Sequence, residues 1–129
     1  MTVERSAGPE GLSFSSSVRM RGSGTWVYVA GKTGMDDSGA IVPGGLAAQA
    51  RAALGHVLRA VAEAGGAAAD VLKITAYLTS LADYHEYNEV RGEVFGPTPP
   101  ASTSVAVAGL IQPDAIIEID AVAFVPDPE

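Results

Sequence analysis

The sequence contains no cysteine. That excludes disulfides, thiolate nucleophiles and cysteine metal sites, and it suits a reducing cytoplasm, where the chain is expected to work. Histidine is nearly as scarce. His56 and His85 are the two residues of this type; both read as helix-surface positions, solvated or locally bonded, so no metal site is expected. Basic residues are few: eight Lys and Arg stand against fifteen Asp and Glu, for a net charge of −7. Phosphate-rich partners require a basic face, so neither nucleic acid nor an anionic membrane surface is an expected partner. No stretch approaches the roughly 20 apolar residues of a membrane-spanning helix. Residues 1–9 carry charges and no apolar run, and are not expected to be a signal peptide. There is no Gly-x-Ser-x-Gly elbow and no glycine-rich phosphate fingerprint after a strand, so serine-hydrolase chemistry is set aside and no cofactor is expected.

What is present fits one small domain. Of the 129 residues, 47% are hydrophobic, enough to build a core. A chain this short still leaves much of its surface exposed, and oligomerisation is one way to bury more of it. Residues 1–12, polar with Gly and Pro, read as a flexible arm, and 13–129 as a single domain.

The pattern along that domain is β-β-α-β-α-β-β. Residues 13–20 and the β-formers Trp26 to Ala30 read as a hairpin around Arg21-Gly22-Ser23-Gly24. Residues 31–45, rich in Gly, read as a loop. Leu46, Ala50, Ala53, Leu54, Val57, Leu58 and Val61 recur at helical spacing over 46–64, with Gln49, Arg51, Arg59 and Glu63 largely off that stripe. Gly65-Gly66 supplies the left-handed stop. A strand over 71–78 follows, then a helix over 81–95 with Ser80 as its candidate N-cap. Strands over 102–107 and 116–125 complete the chain.

Two helices and about five strands predict an α+β fold with both helices on one face of the sheet. On the last strand, Ile117, Ile119, Ala121 and Ala123 suit packing under helices. Ile116, Glu118, Asp120, Val122 and Phe124 form the other side, too apolar for water and too acidic for a dry core. A subunit interface holding a wet cleft accommodates both properties; an ordinary half-solvated sheet face is the alternative.

Several short segments, in order, resemble the Rid (YjgF/UK114) family. They are Val18-Arg19, Val27-Tyr28-Val29-Ala30-Gly31, Gln49-Ala50-Arg51, Ala64-Gly65, Asp70-Val71-Leu72-Lys73, Asp83-Tyr84, Asn88, Pro100-Ala101 and Ile117-Glu118-Ile119. The resemblance covers residues 14–125. It implies a chorismate-mutase-like fold and a homotrimer whose central barrel is lined by the sheets, with three clefts between subunits for small-molecule ligands. It also implies hydrolysis of reactive enamine and imine intermediates, such as 2-aminoacrylate, to 2-keto acids and ammonia.

Carried onto this chain, the resemblance makes Glu118 the catalytic acid/base candidate. It assigns substrate binding to Phe14, Ala30, Gly31, Asn88, Ser102, Thr103 and Ser104. Four of these depart from the family pattern, three of them modestly: Phe14 stands where Tyr is frequent, Ala30 where Ser is, and Ser104 where Cys is. The largest departure is Ser102, which occupies the place of the carboxylate-binding Arg. A charge-assisted bidentate pair in a cleft is worth about 2–5 kcal/mol, by analogy with buried interfacial pairs. Lys32, just after the Ala30-Gly31 turn, is the replacement cation nearest in sequence; otherwise it is a solvated loop lysine. Glu118 has a bland alternative too, a hydrogen bond to backbone or to a neighbouring subunit. Ser102, Thr103 and Ser104 are either ligand donors or small packing residues.

Three functions follow as expectations. The first is an enzyme acting on imine, enamine or related carbonyl intermediates. The second is a non-catalytic trimer that binds a metabolite. The third is an endoribonuclease, a label parts of the family carry and one that the acidic charge disfavours.

Overall fold

The computed structural model describes residues 2–128. Its elements run β1 (Thr2–Ala7), β2 (Ser15–Arg21), β3 (Gly24–Thr33), α1 (Gly45–Glu63), β4 (Val71–Leu78), α2 (Tyr84–Phe95), β5 (Ala101–Ala106) and β6 (Ile117–Pro126). The six strands form one mixed sheet in the order β1-β2-β5-β4-β6-β3.

The order expected from sequence is present, with one strand added in front. Residues 2–7 are not a loose arm. They pair antiparallel with β2 from Thr2↔Arg21 to Ala7↔Ser15, and Arg19 Nη2 lies 3.3 Å from Glu4 Oε2 across that pair. Strand pairing with a distant partner has overridden a weak local pattern. Met1 lies outside the described residues.

Helix α1 forms because its apolar stripe has the helical period. Leu46, Ala50, Ala53, Leu54, Val57 and Val61 are all buried, each large aliphatic contributing roughly 1.5–3 kcal/mol by leaving water. Its end is a Schellman motif: the Gly66 N–H bonds Val61 O at 3.0 Å and the Gly65 N–H bonds Ala62 O at 2.9 Å. Gly65 has φ 85°, a conformation that favours glycine. Gln49 corrects the expected stripe, because it too is buried. Its Nε2 donates to Asp114 O at 3.2 Å, and its Oε1 accepts from the Ile116 N–H at 2.9 Å. A buried amide is tolerated when both ends are bonded.

Helix α2 starts at Tyr84, three residues later than the sequence pattern suggests, and Asp83 occupies its N-cap position without a side-chain bond. Ser80 is not the cap; its Oγ accepts from the Ala82 N–H at 3.2 Å in the preceding turn. Tyr87, Val90, Arg91 and Phe95 are the buried residues of this helix.

The alternation along β4 and β6 fixes the two faces of the sheet. Ile74, Ala76 and Leu78, with Ile117, Ile119, Ala121 and Ala123, are buried beneath the helices. Lys73, Thr75 and Tyr77 point the other way, paired in register with Val122, Asp120 and Glu118. This open face also carries Trp26, 54% exposed, and Tyr28, 77% exposed.

Candidate functional site

The residues singled out by sequence fall into two clusters on opposite faces of the sheet. The first lies on the helix face. Strand β5 runs parallel to β4 with Ile74↔Ser102 and Ala76↔Ser104, so both serines share the face covered by the helices. Phe14 joins them from the segment before β2, and a cleft of about 350 Å³ is lined by Leu12, Phe14, Leu81, Tyr84, Ser102 and Ser104. Asn88 stands beside it on α2, where its Oδ1 accepts from the Ser13 N–H at 2.9 Å.

Bonded to two of its lining residues, Tyr84 and Ser102, is a residue that the sequence reading passed over. Arg91 is fully buried. Its Nε donates to Ser13 Oγ at 3.0 Å, its Nη1 to Ser102 Oγ at 3.0 Å, and its Nη2 to Tyr84 OH at 2.8 Å and Asn88 Oδ1 at 2.9 Å. The guanidinium carbon also sits 5.0 Å from the Phe14 ring centroid, 5.6 Å from Tyr84 and 4.9 Å from Tyr87. Such faces attract a cation through the ring quadrupole. Burial pushes the Tyr87 phenol up from its ordinary value, against the nearby Arg91 charge, which lowers it. A signal for Arg91 was available: positions 84, 87, 88, 91 and 95 follow the helical period and mark the side of α2 turned to β5.

The second cluster lies where β3 and β6 meet, reaching from the open face to the sheet edge beside α1. Their register shifts between Val29 and Lys32, so Ala30-Gly31 forms a bulge, a device that re-aims side chains. A Cβ on Gly31 would fall 2.1 Å from Glu118 Oε2; glycine here is what lets the carboxylate lie against the backbone. Glu118 and Gly31 line two adjoining clefts. One, about 440 Å³, also includes Lys32, Thr33, His56, Arg59, Glu63 and Gln112. The other, about 350 Å³, also includes Tyr77, Leu110, Ile111 and Asp120. Tyr77 OH donates to Asp120 Oδ2 at 2.9 Å. That bond, followed by burial, raises the Tyr77 phenol above its ordinary value. His56 is locally bonded, with Nε2 donating to Met35 O at 2.7 Å.

The candidates therefore do not form one constellation within one chain. Phe14, Asn88, Ser102 and Ser104 converge, as do Gly31, Lys32 and Glu118. Lys32 accompanies Glu118 and is remote from Ser102. Ala30 faces a different shallow groove, with Tyr28, Val29, Asp120, Ala121 and Val122. Thr103 points to the open face, where its Oγ1 accepts from Lys73 Nζ at 2.5 Å.

Comparison with known proteins identifies the class. The family model described as Endoribonuclease L-PSP matches residues 9–125. Among characterised relatives, the 3-aminoacrylate deaminase RutC of Acinetobacter baylyi is 40% identical over 100 residues, covering 77% of this chain and 79% of that protein. The human 2-iminobutanoate/2-iminopropanoate deaminase is 36% identical over 99 residues, covering 76% and 72%. Among solved structures, YyfB of Yersinia pestis, a Rid-family protein of unknown function, superposes with a TM-score of 0.82 at 27% identity, over 97% of this chain and 100% of that one. The chain belongs to the Endoribonuclease L-PSP family, which is the Rid family of the sequence resemblance.

Proposed function

We propose that this chain is a small-molecule enzyme that hydrolyses imine or enamine intermediates to a carbonyl compound and ammonia, working in clefts between the subunits of a homotrimer. The observation that supports it most is the Gly31–Glu118 approach, which holds a carboxylate between two clefts. Among the described residues Glu118 has no ion-pair partner. In this reading Glu118 takes a proton from the attacking water and passes it to the imine nitrogen as the carbinolamine forms. It then carries the hydroxyl proton to the amine, the C–N bond breaks, and ammonia and the carbonyl leave. The names of the Acinetobacter and human relatives support this reaction class.

Two features support the inter-subunit cleft. The Ser102 and Glu118 clusters occupy opposite faces of the sheet, so bringing them to one ligand takes two copies of the chain. The exposed Trp26 and Tyr28 on the open face supply the aromatic surface that interfaces favour. The family's ribonuclease label is not adopted: net charge is −7, and Arg91 is buried away from any polyanion.

The test generates 2-imino acids in situ with an amino-acid oxidase and traps the remainder with semicarbazide. A fall in trapped product that is lost in Glu118→Gln supports the proposal. No fall for any imine, with a folded trimer verified by its mass in solution, replaces it with a metabolite-binding role. A monomer would remove the shared cleft.

A further inference from the structure

We infer that the substrate of this chain carries an acidic arm, with a carboxylate at the end away from the reacting carbon, held between the bulge of β3 and helix α1 by Lys32 and Arg59. The inference rests on the reading of Glu118 as the reacting carboxylate, and it names the class of imine that reaches it.

The first argument is register. Val29 pairs with Ala121 and Lys32 with Ile119, so two residues of β3 stand opposite Asp120 alone. Partners in a regular antiparallel pair advance one for one. Without the extra residue, Lys32 would fall opposite Glu118. Side chains directly opposite share a face and interact, so a regular strand would set the ammonium beside the carboxylate. The bulge moves Lys32 one place along. It now shares the side of Ile119, which is buried beneath the helices, and Thr33 takes the place opposite Glu118. Lys32 is half-buried there, and among the described residues it joins no ion pair.

The second argument is the wall that Lys32 meets. His56, Arg59, Ala60 and Glu63 follow the helical period on α1 and line the same cleft of about 440 Å³ as Lys32 and Glu118. His56 is spent on Met35 O, which ties the loop after β3 to the helix. Ala60 adds only a methyl group to this wall. Arg59 and Glu63 stand four residues apart, and among the described residues neither joins an ion pair. Apart from Glu118, this cleft therefore sets two free cations against one carboxylate. That is a surplus of one positive charge, in a chain of net charge −7. A surplus of one suits a singly charged carboxylate better than a doubly charged phosphate. The adjoining cleft that Glu118 also lines has no basic residue in its lining. The cations thus lie to one side of Glu118 and fix the direction in which an acidic arm runs.

The test titrates the full chain, followed by NMR, with 2-oxoglutarate beside its 5-methyl ester, which keeps the distal oxygens and removes their charge. The acid is expected to bind about tenfold more tightly than the ester, the combined scale of two solvent-facing ion pairs. Lys32→Gln and Arg59→Gln should each take about two- to fivefold from the acid and leave the ester unchanged. The double variant should erase the preference. Glu63→Gln should tighten the acid about twofold, because it removes the opposing charge. Added salt should narrow the gap between acid and ester. Equal affinity for acid and ester, no saturable binding of the acid, or variants that weaken acid and ester alike would each overturn the inference. Turnover of the imines made from glutamate and from norvaline, read by semicarbazide trapping, separates this inference from the reading it rests on. Acid preference with no turnover of either imine counts against the deaminase reading alone. Turnover of both imines with no acid preference counts against Lys32 and Arg59 alone.

Discussion

The two faces of the sheet hold opposite and complementary imbalances. Behind the β5 cleft lies a cation with four neutral hydrogen-bonding partners. On the open face, Glu118 and Asp120 line a cleft together, and Asp120 is bonded by the neutral phenol of Tyr77. The first cluster is closed over its charge and rigidly tied to α2; the second is open and built around a bulge. The difference teaches that this chain keeps a buried cation and a pair of carboxylates apart, on separate sides of one sheet.

Four experiments would break or sharpen that comparison. The largest effect is expected at Arg91. Arg91→Ala removes a fully buried side chain and leaves a cavity, and should cost about 3–5 kcal/mol in denaturant unfolding. Arg91→Met fills the space without the charge and should stay within about 1 kcal/mol of wild type, since apolar isosteres of buried ions are often neutral or better. If both variants lose stability equally, the charge itself is structural and the contrast between the faces fails.

On the open face the expected pattern is the reverse, function lost with stability kept. In Gly31→Ala the new Cβ meets the far end of Glu118, which can swing aside. Thermal stability should hold while turnover falls about 10–100-fold, the effect of misplacing a reacting group by roughly an ångström. Unchanged turnover would mean that the position of Glu118 does not matter.

Tyr77→Phe comes next, with an expected loss of about 0.5–1 kcal/mol, one partly exposed hydrogen bond. Its pH dependence has a definite sign. The folded state raises the Tyr77 phenol above 10.0, chiefly through the bond to Asp120. The contribution is therefore fully present below that value and is lost as pH rises through the folded pKa. The stability gap between wild type and variant should be constant near neutrality and narrow in strongly alkaline solution. The smallest effect belongs to the exposed Arg51–Glu93 pair: Glu93→Ala should leave the midpoint of denaturant unfolding essentially unchanged. A clear loss there would show that surface pairing, and not only the buried cluster, holds α1 against α2.

Much of the fold was legible in the sequence, because its signals were periodic. The stripe from Leu46 to Val61 and the alternation from Val71 to Leu78 each carry enough apolar residues to specify element, face and end. Strand β1 carried no such signal. Val3 and Ala7 are its apolar residues, and what makes 2–7 a strand is pairing with β2, eight to nineteen residues away. The site was half legible. Glu118, Gly31 and Ser102 stand out by resemblance, whereas Arg91 looks like any polar residue of a charged helix until the side of α2 that meets β5 is known. Gln49 misled for the same reason: its amide is polar by composition and buried by circumstance.

That glutamine has a consequence for fidelity of assembly. Its carboxamide offers a donor and an acceptor as a peptide unit does, and it engages the chain at Asp114 and Ile116, just before β6 begins. Side chains in a strand alternate, so a slip of one residue in β6 would bury Glu118 and Asp120 under the helices and turn Ile117 and Ile119 outward. Helix α1 therefore acts as a ruler for β6. It measures where the strand starts, and so decides which face of the molecule is acidic.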